Sequence, residues 1–223
     1  MSTGAKCNRP TRYDPWAGRG NPPGGGWAII NYDTIPGEIR PDLQLTEGFN
    51  FEYKLKSTIH ELTHGFDDQG RQFDAQGNLR DWWTAGDAAQ YKTRAQLVSS
   101  QFDAYTVADS VHVNGSLTLG ENIADLGGLT IAYAALQKSL ENKRVGLIDG
   151  FTPDQRFFLA WAQIWRSMAR PETERMLVAT NPHAPGKWRV NGPLSNMPEF
   201  ARAFDCQKGD RMVRPESVRA QIW

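Results

Sequence analysis

A chain of 223 residues is long enough for one large domain or two small ones. With 39% hydrophobic and 22% charged residues it has the composition of an ordinary globular protein, and its net charge of zero argues against a nucleic-acid partner, which calls for a basic face. No apolar run approaches the roughly 18 residues of a membrane-spanning helix, and Met1 to Asn8 lack the apolar stretch of a signal peptide.

Residues 1–50 read as an irregular arm. Asn21-Pro22-Pro23-Gly24-Gly25-Gly26 suits neither a helix nor a central strand, further turns follow at Pro36-Gly37 and Pro41, and only residues 27–30 resemble a short strand. Such an arm is either disordered or a loop-rich wrap anchored by Tyr13, Trp16 and Trp27. Cys7 and Cys206 can make at most one bridge.

Residues 55–66 are expected to form a helix that loosens at Gly65. Asp67-Asp68-Gln69-Gly70 and Asp74 to Asn78 carry turn chemistry. Thr84 then caps a helix reaching about Ala104, with Ala88, Tyr91, Ala95, Leu97, Val98 and Phe102 as its apolar stripe. Asn114-Gly115 turns the chain into a long helix from Leu119 to Leu136. Its Gly127-Gly128 pair costs about 1 kcal/mol per residue and points to a close backbone approach. Thr152 and Pro153 open another helix, which Pro171 is expected to limit near Arg170. Asn181 to Gly186 reads as a loop, and Pro198 to Phe204 as a short helix. The tail after Gln207 is polar and basic except at its end. The expected fold is mainly helical with few short strands.

The chemistry centres on His60-Glu61-Leu62-Thr63-His64. Residues four apart share one helix face, so His60 and His64 can aim two imidazoles at one point. Zinc accepts such nitrogens, and a catalytic zinc takes three protein ligands with one position left open. Glu61, next to His60, sits beside that point and can take a proton from a water. Gly70 stands where the metzincin pattern has its third His. The alternative third ligand is Glu121, and Asp125, one turn later, can orient an imidazole, with His60 the preferred partner. His112 reads as structural or exposed.

Two stretches, His60 to Gly70 and Leu119 to Leu129, together with Gly77-Asn78-Leu79, Asp81-Trp82-Trp83 and Val113-Asn114-Gly115, resemble the neprilysin and endothelin-converting-enzyme family of zinc peptidases. The similarity runs from about residue 57 to the end of the chain. It implies a gluzincin-type catalytic domain over 51–223 that holds one zinc on His60, His64 and Glu121, with Glu61 as general base and Asp125 orienting a ligand. By the same resemblance His183 steadies the oxyanion, Arg189 holds a substrate backbone carbonyl, and Trp165 lines the pocket after the scissile bond. The implied activity is hydrolysis of short peptides in a periplasmic, extracellular or cell-surface setting. The second reading is a catalytically silent or truncated zinc-binding fragment.

Residues 1–56 carry no counterpart of the family's Asn-Ala-aromatic-Tyr strand, Lys56, Ser57 and Ile59 depart from its pattern, and the expectation is a catalytic part without the family's large N-terminal helical domain. The face around Phe157, Phe158, Trp161 and Trp82-Trp83 is therefore expected to meet water and to favour self-association.

Overall fold

The computed structural model describes residues 59–107, 111–167 and 169–222. The arm of residues 1–50 and the expected start of the first helix lie outside the described residues. Residues 59–63 are helical (α1) and tighten into a 3-10 turn at His64–Phe66, where Gly65 sits. Six further helices follow: α2 (Ala85–Asp103), α3 (Leu119–Leu140), α4 (Pro153–Ile164), α5 (Pro171–Thr180), α6 (Gly186–Leu194) and α7 (Pro198–Ala203). No strand forms among the described residues. The strand expected at 27–30 lies outside the described residues, and among those described the extended pairing consists of isolated bridges, Phe73 with Leu79, Thr106 with His112, and Ile148 with Phe151.

The elements start where side-chain chemistry supplies the missing partners of the first turn. Thr84 accepts from the Asp87 N–H at the head of α2. At α4, Thr152 and Gln155 form a reciprocal capping box with Pro153 at the first position. α4 ends at Ile164 with Trp165 as its cap, short of the expected Arg170, because Pro171 acts as the first residue of α5 and not as the stop of α4.

α3 is the central element, packed against α2, α6 and the turn after α1. Every residue from Asn122 to Leu129 is buried, so two turns of this helix have no solvent face. The Gly128 position meets the expected close approach: a Cβ there would lie 3.1 Å from His60 N and 3.2 Å from His60 Cα. α4 packs on α7 and its cap through Phe157, Phe158, Phe200 and Phe204, all at most 2% exposed, and it also packs on α6. Each such side chain contributes up to about 3 kcal/mol of burial. Phe157, Phe158 and Trp161, expected at a wet face, are thus core residues, and the basis for self-association through them is gone; Trp82 alone of the named aromatics is well exposed, at 45%.

The tail is docked. Asn196 Oδ1 accepts from Ala220 N at 2.8 Å, Arg94 donates to the Ile222 carbonyl at 2.8 Å, and Met212, Ala220 and Ile222 are buried. Cys206 is disulfide-bonded, and Cys7 lies outside the described residues. No described helix is long and apolar enough to cross a membrane.

Candidate metal centre

α1 and α3 meet at Gly128, and this contact sets the site. One ligand atom each from His60, His64 and Glu121 lies within 4.8 Å of the others. The two imidazoles face each other through Nε2, 3.2 Å apart, with ring planes at 89°. Glu121 completes the group at 3.4 Å from His60 Nε2 and 3.6 Å from His64 Nε2.

The outer nitrogens decide what the inner ones can do. His64 Nδ1 lies 2.6 Å from Asp67 Oδ2. Asp67 is buried, and its other oxygen accepts from the N–H groups of Gln69 and Gly70. The turn that supplies them folds tightly on His64: a Cβ at Gly70 would overlap the His64 carbonyl at 1.7 Å, so only glycine fits. His60 Nδ1 lies 2.9 Å from Asp125 Oδ1, a charge contact without hydrogen-bond geometry. With the His64 Nδ1 hydrogen-bonded to Asp67 and the His60 Nδ1 beside Asp125, protons on the outer nitrogens would leave both Nε2 lone pairs to the point that Glu121 also faces. Three acceptors around one point need a cation, and this donor set fits zinc.

Without a metal a proton takes that part. Burial works against charging His60, but the contacts to Asp125 and Glu121 outweigh it and raise its pKa from 6.5 to about 9. Burial alone would raise the Glu121 carboxyl. The His60 contact and the charges of Arg189, His183 and His64 outweigh that too and hold it below the usual range.

Glu61 is exposed beside the two histidines. His183, in the loop before α6, comes to 3.2 Å from Glu121 Oε1 through Nε2. Its Nδ1 lies 2.8 Å from Asn181 Oδ1, which also accepts the His183 backbone N–H and so is fixed as an acceptor. Both ring nitrogens therefore face oxygens.

Arg189 on α6 is 4% exposed. It grips Asp125 with two hydrogen bonds of 2.7 Å, from Nε and Nη2, and reaches Glu121 Oε2 from Nη2 at 3.2 Å. Trp165 stacks on the guanidinium, whose carbon is 3.8 Å from the ring centroid. His112 is remote from this cluster and rests its Nδ1 3.0 Å from the Asp103 carbonyl. Sequence reasoning passed over Asp67 as turn chemistry. The signal was its i, i+3 spacing from His64, one helical turn away, as Asp125 is one turn from Glu121.

The model of Peptidase family M13 matches residues 42–220. Human endothelin-converting enzyme 1 is 43% identical over 169 residues, covering 74% of this chain and 21% of its own length. Neprilysin-2 of Drosophila melanogaster is 44% identical over 236 residues, covering 98% of this chain and 29% of its own length. The zinc metalloprotease ZMP1 of Mycobacterium tuberculosis, solved in complex with an inhibitor, superposes with a TM-score of 0.76 at 41% identity over 79% of this chain and 28% of that one. The chain thus spans between 21% and 29% of the length of these relatives. The family match starts ahead of residue 57, where the motifs begin, and the fly enzyme aligns into residues 1–50.

Proposed function

The chain belongs to peptidase family M13, and from that premise we propose that it is the part of a zinc metalloendopeptidase that cleaves short peptides, with Glu61 as general base. The observation that carries the reading is the convergence of His60 Nε2, His64 Nε2 and Glu121, with a carboxylate within 2.9 Å of each outer imidazole nitrogen. When bound, zinc would polarise a water and the scissile carbonyl.

The chain's own residues do the rest. Glu61 accepts a proton from the water at its exposed carboxylate and returns it to the leaving amine. Asp125 and Asp67 keep His60 and His64 in the tautomer whose Nε2 is free. His183 offers an N–H to the oxygen that becomes negative as the carbonyl is attacked. Arg189 spends Nε and Nη2 on Asp125 and Glu121, and Nη1 is the arm left for a substrate backbone carbonyl. Trp165, stacked on Arg189, forms the wall of the pocket after the scissile bond.

The test is cleavage of a quenched short peptide by the purified chain with zinc, with chelator, and in Glu61→Gln. Zinc uptake should be retained in Glu61→Gln while turnover drops by about 10²–10⁴-fold. Loss of the metal in that variant would make Glu61 a ligand and end the assignment. The alternative is a chain that holds zinc without turnover. Zinc uptake with no cleavage at any peptide length selects it.

A further inference from the structure

Arg189 is held at both ends by tryptophans one turn apart. Its side chain lies against Trp165, and its backbone carbonyl accepts from Trp161 Nε1 at 3.0 Å. The second contact has a cause in the sequence. In an α-helix the carbonyl of residue 189 would accept from the N–H of residue 193. That residue is Pro193, inside α6, and proline has no N–H. The carbonyl is buried with the rest of Arg189, and a buried carbonyl without a donor is costly. Trp161, itself 3% exposed, supplies the donor from α4.

We infer that Trp161 and Trp165 are positioning residues for the metal centre, acting through Arg189. Trp161 closes the hydrogen-bond gap that Pro193 opens and so pins the backbone of α6 at Arg189. Trp165 flattens the guanidinium into the plane in which Nε and Nη2 meet both Asp125 oxygens. Asp125 in turn touches His60 Nδ1. The chain of contacts therefore runs from α4 through α6 and α3 to a metal ligand on α1, and it fixes the direction of the His60 lone pair. This inference rests on the metal reading above, and it adds residues to it that the motifs do not contain.

The geometry predicts a specific rescue. Trp161→Phe keeps a six-membered aromatic ring and removes the N–H together with the five-membered half of the indole, so the part of its effect that belongs to the N–H is the part a new donor at position 193 returns. Adding Pro193→Ala returns an N–H to position 193, so the carbonyl recovers its ordinary helical partner. Two quantities are measured on the full chain: the zinc dissociation constant, by competition with a fluorescent chelator, and hydrogen exchange of the Arg189 Nε–H in metal-free protein, by NMR. In Trp161→Phe zinc should bind about tenfold more weakly, the low end for a group that supports a ligand. The Arg189 Nε–H keeps its bond to Asp125 but should exchange about tenfold faster, because α6 opens more readily around Arg189 once its carbonyl has lost a donor. Both should return towards the original values in Trp161→Phe/Pro193→Ala. Trp165→Leu should show the same two losses without rescue by Pro193→Ala, because its contact is to the side chain. Unchanged exchange in Trp161→Phe overturns the inference, and so does a loss that Pro193→Ala does not repair. Absence of zinc uptake by the unaltered chain overturns the metal reading instead, and the exchange measurement still decides this one.

Discussion

Asp125 and Asp67 each brace one imidazole, but they differ in what else they hold. Asp125 is fully buried and faces the Arg189 guanidinium with both oxygens. Asp67 is braced by backbone N–H groups of its own turn. Replacing either by Asn should weaken zinc binding about 10–100-fold, since each orients a ligand. Stability should separate them. Asp125→Asn leaves the buried Arg189 cation with Glu121 as its remaining counter-charge, at 3.2 Å, and should cost up to the roughly 3–5 kcal/mol lost when one partner of a buried pair is removed. Asp67→Asn exposes no such cation and should cost closer to the ~1 kcal/mol of a typical hydrogen bond. Zinc titration and urea denaturation of both variants in chelator provide the comparison. Equal destabilisation would mean that the Arg189–Asp125 pair is not a buried ion pair in solution.

At the scale of elements, the α1–α3 contact is the one on which the ligand set depends. Gly128→Ala puts a methyl group 3.1–3.4 Å from His60 N, Cα and Cβ, and backbone atoms cannot swing aside as a side-chain end can. The gain in helix propensity, about 1 kcal/mol, offsets part of an overpacking cost of about 1–3 kcal/mol. Net stability should fall slightly, while zinc affinity falls clearly, because Glu121 and His60 move apart. An alanine variant that binds zinc as tightly as the original chain would show that the contact has slack. The helices that frame this contact were legible from sequence for local reasons: Thr84 and the Thr152-Pro153 start supply first-turn partners, and the glycine pair in α3 signals close approach. The second half was less legible. Pro171 reads equally as a stop and as a first residue, so α5 was missed. Pro185, Gly186, Gly192 and Pro193 together disguise α6, whose Arg189 carbonyl is satisfied from another helix. Likewise, nothing in the charge of Arg189 tells that it is buried on Asp125, since burial is decided by where α4 and α6 pack.

The whole molecule brings His60, His64 and Glu121, from α1, the turn after it and α3, together with His183 and Arg189 of the α6 region, so this cluster exists only in the folded chain and, on the proposed reading, its zinc does too. Zinc binding is then folding free energy, about 2.7 kcal/mol at a free zinc concentration 100 times the dissociation constant. His60 gives this coupling a pH signature. In the metal-free protein its pKa is about 9, against 6.5 as the ordinary value. Between those values the folded state holds more protons than the unfolded state, so stability falls as pH rises. The contribution is fully present below pH 6.5 and is lost by the time pH has passed 9. Zinc takes His60 as neutral imidazole, so binding expels the proton and affinity should climb with pH through the same window. Melting temperatures measured from pH 6 to 10 should therefore fall in chelator and stay flatter in zinc, with the gap between the two widening as pH rises. His60→Gln should abolish the slope that remains in chelator beyond the background of other groups. Curves with and without zinc that run parallel across this range would show that His60 does not hold the proton that the metal replaces.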